Sequence, residues 1–161
     1  MEKKKNKKML KLGSTAPEVE LMDQNGQNFR LSSLRGKGPV VVYFYPKDGT
    51  PVCIKEACYF RDDHAAFTGL GATVIGISAD SVADHKAFAA QYQLPFILLS
   101  DPEDVAFRAF GLKSFLGLKE RATFVLDSSG IVRAAVQDRL NARKHVQKAL
   151  DALNDQGLAR S

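Results

Sequence analysis

The run Pro39-Val-Val-Val-Tyr-Phe-Tyr45 constrains this chain more than any other stretch, because every position in it is apolar or aromatic. Successive side chains of a strand point to opposite faces, so a strand of this composition must be covered on both sides. It is therefore expected to run through the centre of an α/β sheet with helices on both faces. Pro46 ends it, since proline supplies no backbone N–H to continue the ladder.

The remaining elements fall in around that strand. Residues 18–31 read as two short strands about Asn25-Gly26, a strong hairpin signal. "SSLRGK" (32–37) reads as a turn or a single helical turn. A helix is expected from about Pro51 to Leu70, a buried strand at 72–78, a helix at 81–92 and a short strand at 95–100. A further helix at 102–111 closes at Gly111, a good C-terminal stop. Two strands flanking Ser128-Ser129-Gly130 make an antiparallel hairpin, and 141–153 forms an amphipathic helix with Val146, Ala149, Leu150 and Leu153 on one face. Parallel crossovers followed by an antiparallel hairpin give a mixed central sheet, with an extra β-hairpin at the N-terminal end.

The length of 161 residues fits one domain with its own core. The net charge of +5 suggests a nucleic-acid partner until it is located. Residues 1–11 hold six lysines and one acid, leaving 17 basic and 17 acidic residues in 12–161. The expected division is thus a basic, mobile tail over 1–11 and a single domain over 12–161, with no basic surface to drive phosphate binding. No apolar run approaches the roughly 20 residues a membrane helix needs. The start lacks the apolar core of a secretory signal, so a cytoplasmic location is expected, or an organelle if the chain is a processed form.

Both cysteines, Cys53 and Cys58, sit just past the central strand in "GTPVCIKEAC". Functional residues of open α/β sheets gather beyond the carboxyl ends of strands. Thr50 suits an N-cap and Pro51 the first helical position, which makes Cys53 the third helical residue. The free N–H groups and the helix dipole there favour an anion, here the thiolate that carries cysteine chemistry. The Thr50 hydroxyl is expected to bond back toward position 53. On an intact helix Cys58 lies roughly 140° around from Cys53, with Cα atoms roughly 8.6 Å apart, whereas a disulfide needs less than about 7 Å. A relaxed structural staple does not fit, and no histidine joins the pair in a metal-ligand pattern: His64, His85 and His145 are scattered through helices. Two readings stay open on spacing alone, a reversible redox pair that forms by unwinding the helix and two incidental buried cysteines.

The segment "YFYPKDGTPVCIKEACYFRD" resembles the active-site segment of the peroxiredoxins, in particular the bacterioferritin-comigratory-protein or peroxiredoxin Q group. The pattern is Pro-x3-Thr-x2-Cys, met by Pro46, Thr50 and Cys53, with the second cysteine five residues on. The likeness continues through "APEVELMDQNGQ", "VIGISADSVADHKAFAAQYQLPFILLSD" and "RATFVLDSSGIV". It implies a thioredoxin-like fold and thiol-dependent reduction of hydrogen peroxide and organic hydroperoxides with no metal or cofactor. By the same resemblance Cys53 is the peroxidatic cysteine, which becomes a sulfenic acid, and Cys58 the resolving cysteine that closes an intramolecular disulfide. Thr50 bonds the thiolate and the peroxide, Pro46 shields the site, and Arg121 stabilises the thiolate and the departing oxygen. Glu56 is expected to orient Arg121. Thioredoxin or a similar dithiol protein is the implied reductant, and a monomer the implied state.

The chain departs from the group at Val52 and Ile54, where glycine and threonine are usual around the peroxidatic cysteine. Two alternatives of other classes are a general thiol-disulfide oxidoreductase on the same fold and a non-enzymatic redox sensor or holdase. The first normally uses Cys-x-x-Cys, whose closer spacing needs no unwinding.

Overall fold

A computed structural model describes residues 9–158. A seven-stranded mixed sheet runs in the order β2-β1-β5-β4-β3-β8-β9. Its strands are β1 (Glu20–Asp23), β2 (Asn28–Arg30), β3 (Val40–Phe44), β4 (Thr73–Ser78), β5 (Ile97–Ser100), β8 (Ala122–Leu126) and β9 (Val132–Gln137). β3, β4 and β5 are parallel, while β8, β9, β1 and β2 each pair antiparallel to a neighbour. The all-apolar strand is the middle of the sheet, as its composition demands: Val40 through Phe44 are each buried on both faces.

Alternation along β3 divides the core in two. Val41, Tyr43 and Tyr45 join a layer with Cys53, Ala57 and Phe60 of α1 (Pro51–Asp62), Phe67 of α2 (His64–Gly69), Phe88 of α3 (Val82–Tyr92), and Val146 and Leu153 of α5 (Ala142–Asp155). Val40, Val42 and Phe44 join the opposite layer with Phe107 of α4 (Val105–Ala109), Phe110 and Phe124. Gly76 of β4 pairs with Tyr43, and a Cβ there would meet the Tyr43 ring at 2.8 Å, so only glycine leaves that ring its place. Among the described residues no helix is long and apolar enough to cross a membrane.

Several boundaries differ from the sequence reading. The helix expected over 51–70 is two helices, broken at Asp63 (φ −95°, ψ 8°). Asp62 and Asp63 are poor helix formers that compete for nearby backbone groups. The helix expected from 102 begins only at Val105, because Asp104 is left-handed (φ 58°). The Asp101 carboxylate, outside the helix, accepts from the N–H groups of Val105 (2.8 Å) and Phe107 (3.0 Å). A small antiparallel pair, β6 (Ser114–Phe115) and β7 (Leu118–Lys119), was not anticipated.

The described residues also reach into the expected tail. Residues 1–8 of the expected mobile segment lie outside the described residues. Met9 and Leu10 instead pack against the core, and the Leu10 N–H donates to the Phe110 carbonyl at 2.9 Å. Their side chains are apolar, unlike the lysines around them, so burial holds them down.

Candidate active site

The chain leaves β3 at Tyr45, turns through Gly49 (φ 81°) and enters α1 at Pro51. Thr50 has the extended backbone of an N-cap (φ −85°, ψ 152°), and its carbonyl accepts the first intrahelical bond from the Ile54 N–H at 2.8 Å. Its hydroxyl does not bond toward position 53 as expected. It donates instead to the Lys47 carbonyl at 2.9 Å, which the glycine turn brings within reach. Pro46 is half-buried at the start of the same loop.

Cys53 thus occupies the first turn of α1, with its side chain only 1% exposed. The stripe it shares with Ala57, Phe60 and Phe67 is buried against the sheet; His64 is half-buried and faces Phe96 at 6.2 Å between ring centres. Cys58 is half-buried on the same unbroken helix, and both sulfurs are free thiols. The structure is that of the reduced chain with its helix closed.

Arg121 comes to Cys53 from 68 residues away, at the entry to β8. The pairing of β3 with β8 puts Phe44 opposite Ala122 and Tyr43 opposite Thr123, which brings the Arg121 end of β8 alongside the carboxyl end of β3. Three directions of its guanidinium are used. Nη2 donates to Cys53 Sγ at 3.2 Å, Nη1 to Glu56 Oε1 at 2.6 Å, and Nε to the Arg139 carbonyl at 3.0 Å. Arg121 is 4% exposed and Glu56 is fully buried, so both bonds form in a medium where charge-assisted interactions are strong. Burial pushes Glu56 up to about 7, against the downward pull of Arg121. For Arg121 burial works against the charge, but Glu56 and Cys53 outweigh it and raise the guanidinium further.

Behind Glu56 lies a second set of buried polar groups. His145 of α5 donates from Nε2 to the Asp138 carbonyl at 2.7 Å, which leaves Nδ1 to accept from the Thr123 hydroxyl at 2.8 Å. Burial lowers His145 below the usual histidine range. Its Nδ1 lies 3.7 Å from Glu56 Oε2, an oxygen without a hydrogen-bond partner. The Tyr43 hydroxyl is likewise buried and unpartnered. Sequence reasoning placed His145 among scattered histidines. Its spacing of four from Ala149 on the inward face of α5 was the available signal that it is a buried one.

This arrangement presents one buried sulfur at a helix N-terminus, one fixed cation against it, and a second thiol on the far side of the same helix. The AhpC/TSA family model matches residues 12–135. Peroxiredoxin Q, chloroplastic, of Sedum lineare is 47% identical over 143 residues, covering 88% of this chain and 76% of the relative. The protein of the same name from Suaeda salsa is 46% identical over 143 residues, covering 88% of this chain and 66% of its own length. The chain thus spans about two thirds to three quarters of these plant proteins. Among solved structures, peroxidoxin BcpB from Mycobacterium tuberculosis aligns with a TM-score of 0.86 and 38% identity, covering 94% of this chain and 99% of that one. The Xanthomonas campestris bacterioferritin comigratory protein, whose structure is described for its alkyl peroxide reduction activity, aligns at 0.78 with 32% identity, covering 91% and 97%. These likenesses favour a thiol peroxidase over a general thiol-disulfide oxidoreductase or a non-enzymatic sensor. The chain belongs to the AhpC/TSA family, within its peroxiredoxins, and is a thiol-dependent peroxidase on a thioredoxin-like fold.

Proposed function

We propose that this chain reduces hydrogen peroxide and alkyl hydroperoxides through Cys53 and Cys58, with Thr50, Arg121 and Pro46 completing the site. The observation that carries the reading is the 3.2 Å bond from Arg121 Nη2 to Cys53 Sγ, made at the first turn of α1. A fixed guanidinium and the helix terminus both set positive charge against the reacting sulfur. The thiolate attacks one peroxide oxygen, the O–O bond breaks, and the other oxygen leaves as alkoxide or hydroxide and takes up a proton. Cys53 is then a sulfenic acid. Arg121 stabilises the charge on the departing oxygen, the Thr50 hydroxyl turns from the Lys47 carbonyl to the peroxide, and Pro46 limits water entry.

The Cys58 thiol next attacks the Cys53 sulfur, releasing water and forming a disulfide within one chain. Because the two cysteines stand on one unbroken helix, the first turns of α1 must open for this step. A thioredoxin-like dithiol protein then exchanges with the disulfide and restores both thiols. The resemblance to the peroxiredoxin Q group supports a monomer. The same chemistry serves either the cytoplasm or an organelle: relatives named chloroplastic and bacterial proteins both align over nearly the whole chain.

The test follows reductant consumption under peroxide with thioredoxin and its reductase. Cys53→Ser should abolish turnover. Cys58→Ser should consume about one peroxide per chain and then stall, since only recycling is lost. Steady turnover by Cys53→Ser would overturn the assignment.

A further inference from the structure

A buried polar cluster beside the active-site loop takes no part in the chemistry above. His85 of α3 is wholly buried. Its Nε2 lies 3.0 Å from the Leu99 carbonyl and its Nδ1 2.6 Å from Asp48 Oδ2. The other Asp48 oxygen accepts from the Tyr45 hydroxyl at 2.6 Å, and the Asp48 N–H donates to Asp80 Oδ2 at 2.8 Å. Asp80 Oδ2 also accepts from the Ser78 hydroxyl at 2.6 Å. The donor atoms of Asp48, Asp80 and His85 lie within 4.8 Å of one another, a spacing a cation would also use. Both nitrogens of His85 and both oxygens of Asp48 are, however, already engaged by protein groups. The arrangement is a latch.

What it latches is the loop that sets the start of α1. Asp48 is the midpoint of the 46–50 connection and stands five residues before Cys53. Its three bonds reach Tyr45 at the end of β3, Asp80 beyond β4, and His85, which is itself tied to β5 through Leu99. The first N–H groups of a helix have no partners within it, so the preceding loop governs where its first turn lies. Farther along, Ala57 and Phe60 are fixed by packing. Cys53 is packed in that same layer, but it stands in the first turn, where the loop sets the backbone that carries its sulfur to Arg121.

We propose that His85 is a positioning residue for the peroxide-reducing step, holding Asp48 through Nδ1 and so holding Cys53 Sγ in register with Arg121. The proposal rests on the reading of Cys53 as the attacking sulfur. The Leu99 carbonyl only accepts, so Nε2 donates to it, and Nδ1 is the nitrogen that faces the Asp48 carboxylate. A buried bond of that kind is strong and directional. Displacement of a reacting group by about 1 Å can lower a rate by roughly 100-fold.

Two isosteric changes separate positioning from mere packing. In His85→Asn the amide nitrogen takes the place of Nδ1 and keeps the bond to Asp48. In His85→Gln it takes the place of Nε2 and keeps only the bond to Leu99. Both leave a buried amide with one bond lost, so both should fold with similar losses. The rate of Cys53 oxidation by peroxide is read in a single turnover by rapid quench and mass analysis, alongside thermal melting. His85→Gln should slow oxidation by roughly 10- to 100-fold, while His85→Asn recovers to within about 5-fold of the parent. A second pair works from the other side of the bond. Asp48→Asn accepts from Tyr45 and donates to a neutral Nδ1, and should stay near the parent; Asp48→Ala should fall with His85→Gln. Equal rates for the Asn and Gln variants, or rates that simply follow melting temperature across all four, would overturn the proposal. Failure of the unsubstituted protein to oxidise at Cys53 would instead overturn the underlying reading.

Discussion

At Arg121 one guanidinium faces two partners that are both anions when charged, the Cys53 sulfur and the Glu56 carboxylate. Glu56 has no water to share its charge, and burial raises it to about 7 in spite of Arg121. The folded state therefore holds a proton on Glu56 that the unfolded chain has already released above its ordinary value of 4.5. A raised value of this kind contributes stability in full below about 4.5 and loses it as pH rises toward about 7. Asp138, held low by the Asn141 and Leu140 amides, titrates below that window, while His145 and His64, lowered by burial, oppose the slope within it, so the reading is the difference between the parent and a Glu56 variant. Glu56→Gln, which keeps a carbonyl for Arg121 but cannot ionise, should flatten the slope. In denaturant titrations at pH 4.5, 6 and 8, the parent should lose on the order of 3 kcal/mol more than the Gln variant across the range. Parallel curves for the two proteins would show that Glu56 ionises in the folded state as easily as in the unfolded one.

Helix α1 is where the element has to be both well formed and able to open. Its start was legible in the sequence because local rules write it: a capping threonine, a proline at the first position, and a cysteine in the first turn. The partners of that turn were not legible by periodicity. Arg121 reaches it only through the β3–β8 pairing, and the resemblance alone singled it out. The Asp48–His85 bond joins residues 37 apart on a loop and a helix that no local pattern relates. The break at Asp63 and the late start of α4 were missed because an apolar period does not record backbone angles; the left-handed Asp104 leaves no periodic trace. Opening of α1 should depend on Val52 and Ile54, which flank Cys53 where the related group usually has glycine and threonine. Val52 is half-buried, and Ile54 packs against the core. Val52→Gly removes a side chain and lowers helix propensity by about 0.4 kcal/mol. It should speed disulfide formation after peroxide by roughly 2- to 5-fold, measured as the loss of free thiol in a single turnover. An unchanged or slower rate would mean that opening of the first turn does not limit that step.

At the scale of the whole molecule, the switch is built into the core rather than set upon it. The helix that must open carries Cys53, Glu56, Ala57 and Phe60, all buried, and it packs against α5 and the sheet face that holds Tyr43. A disulfide closing so short a loop restrains the unfolded chain by about 2 kcal/mol in the chain-entropy picture. Against that gain stand the lost first turns of α1, the exposure of apolar side chains, and the parting of Arg121 from Cys53. If Glu56 is drawn away as well, its buried hydrogen bond from Arg121 is lost, a further cost of about 1.5–3 kcal/mol. The losses outweigh the gain, so oxidation should loosen this protein where an ordinary staple would tighten it. The expected result is a melting temperature lower for the peroxide-oxidised chain than for the same chain in excess dithiol, by roughly 3–10 °C for a domain of this size. The Cys58→Ala variant supplies the control: it cannot form the bond, and its melting temperature should stay near that of the reduced parent in either buffer. A bridged form that melts well above the reduced one would mean that the two sulfurs meet without disturbing the core, and that the helix drawn around Cys53 is not the element that moves.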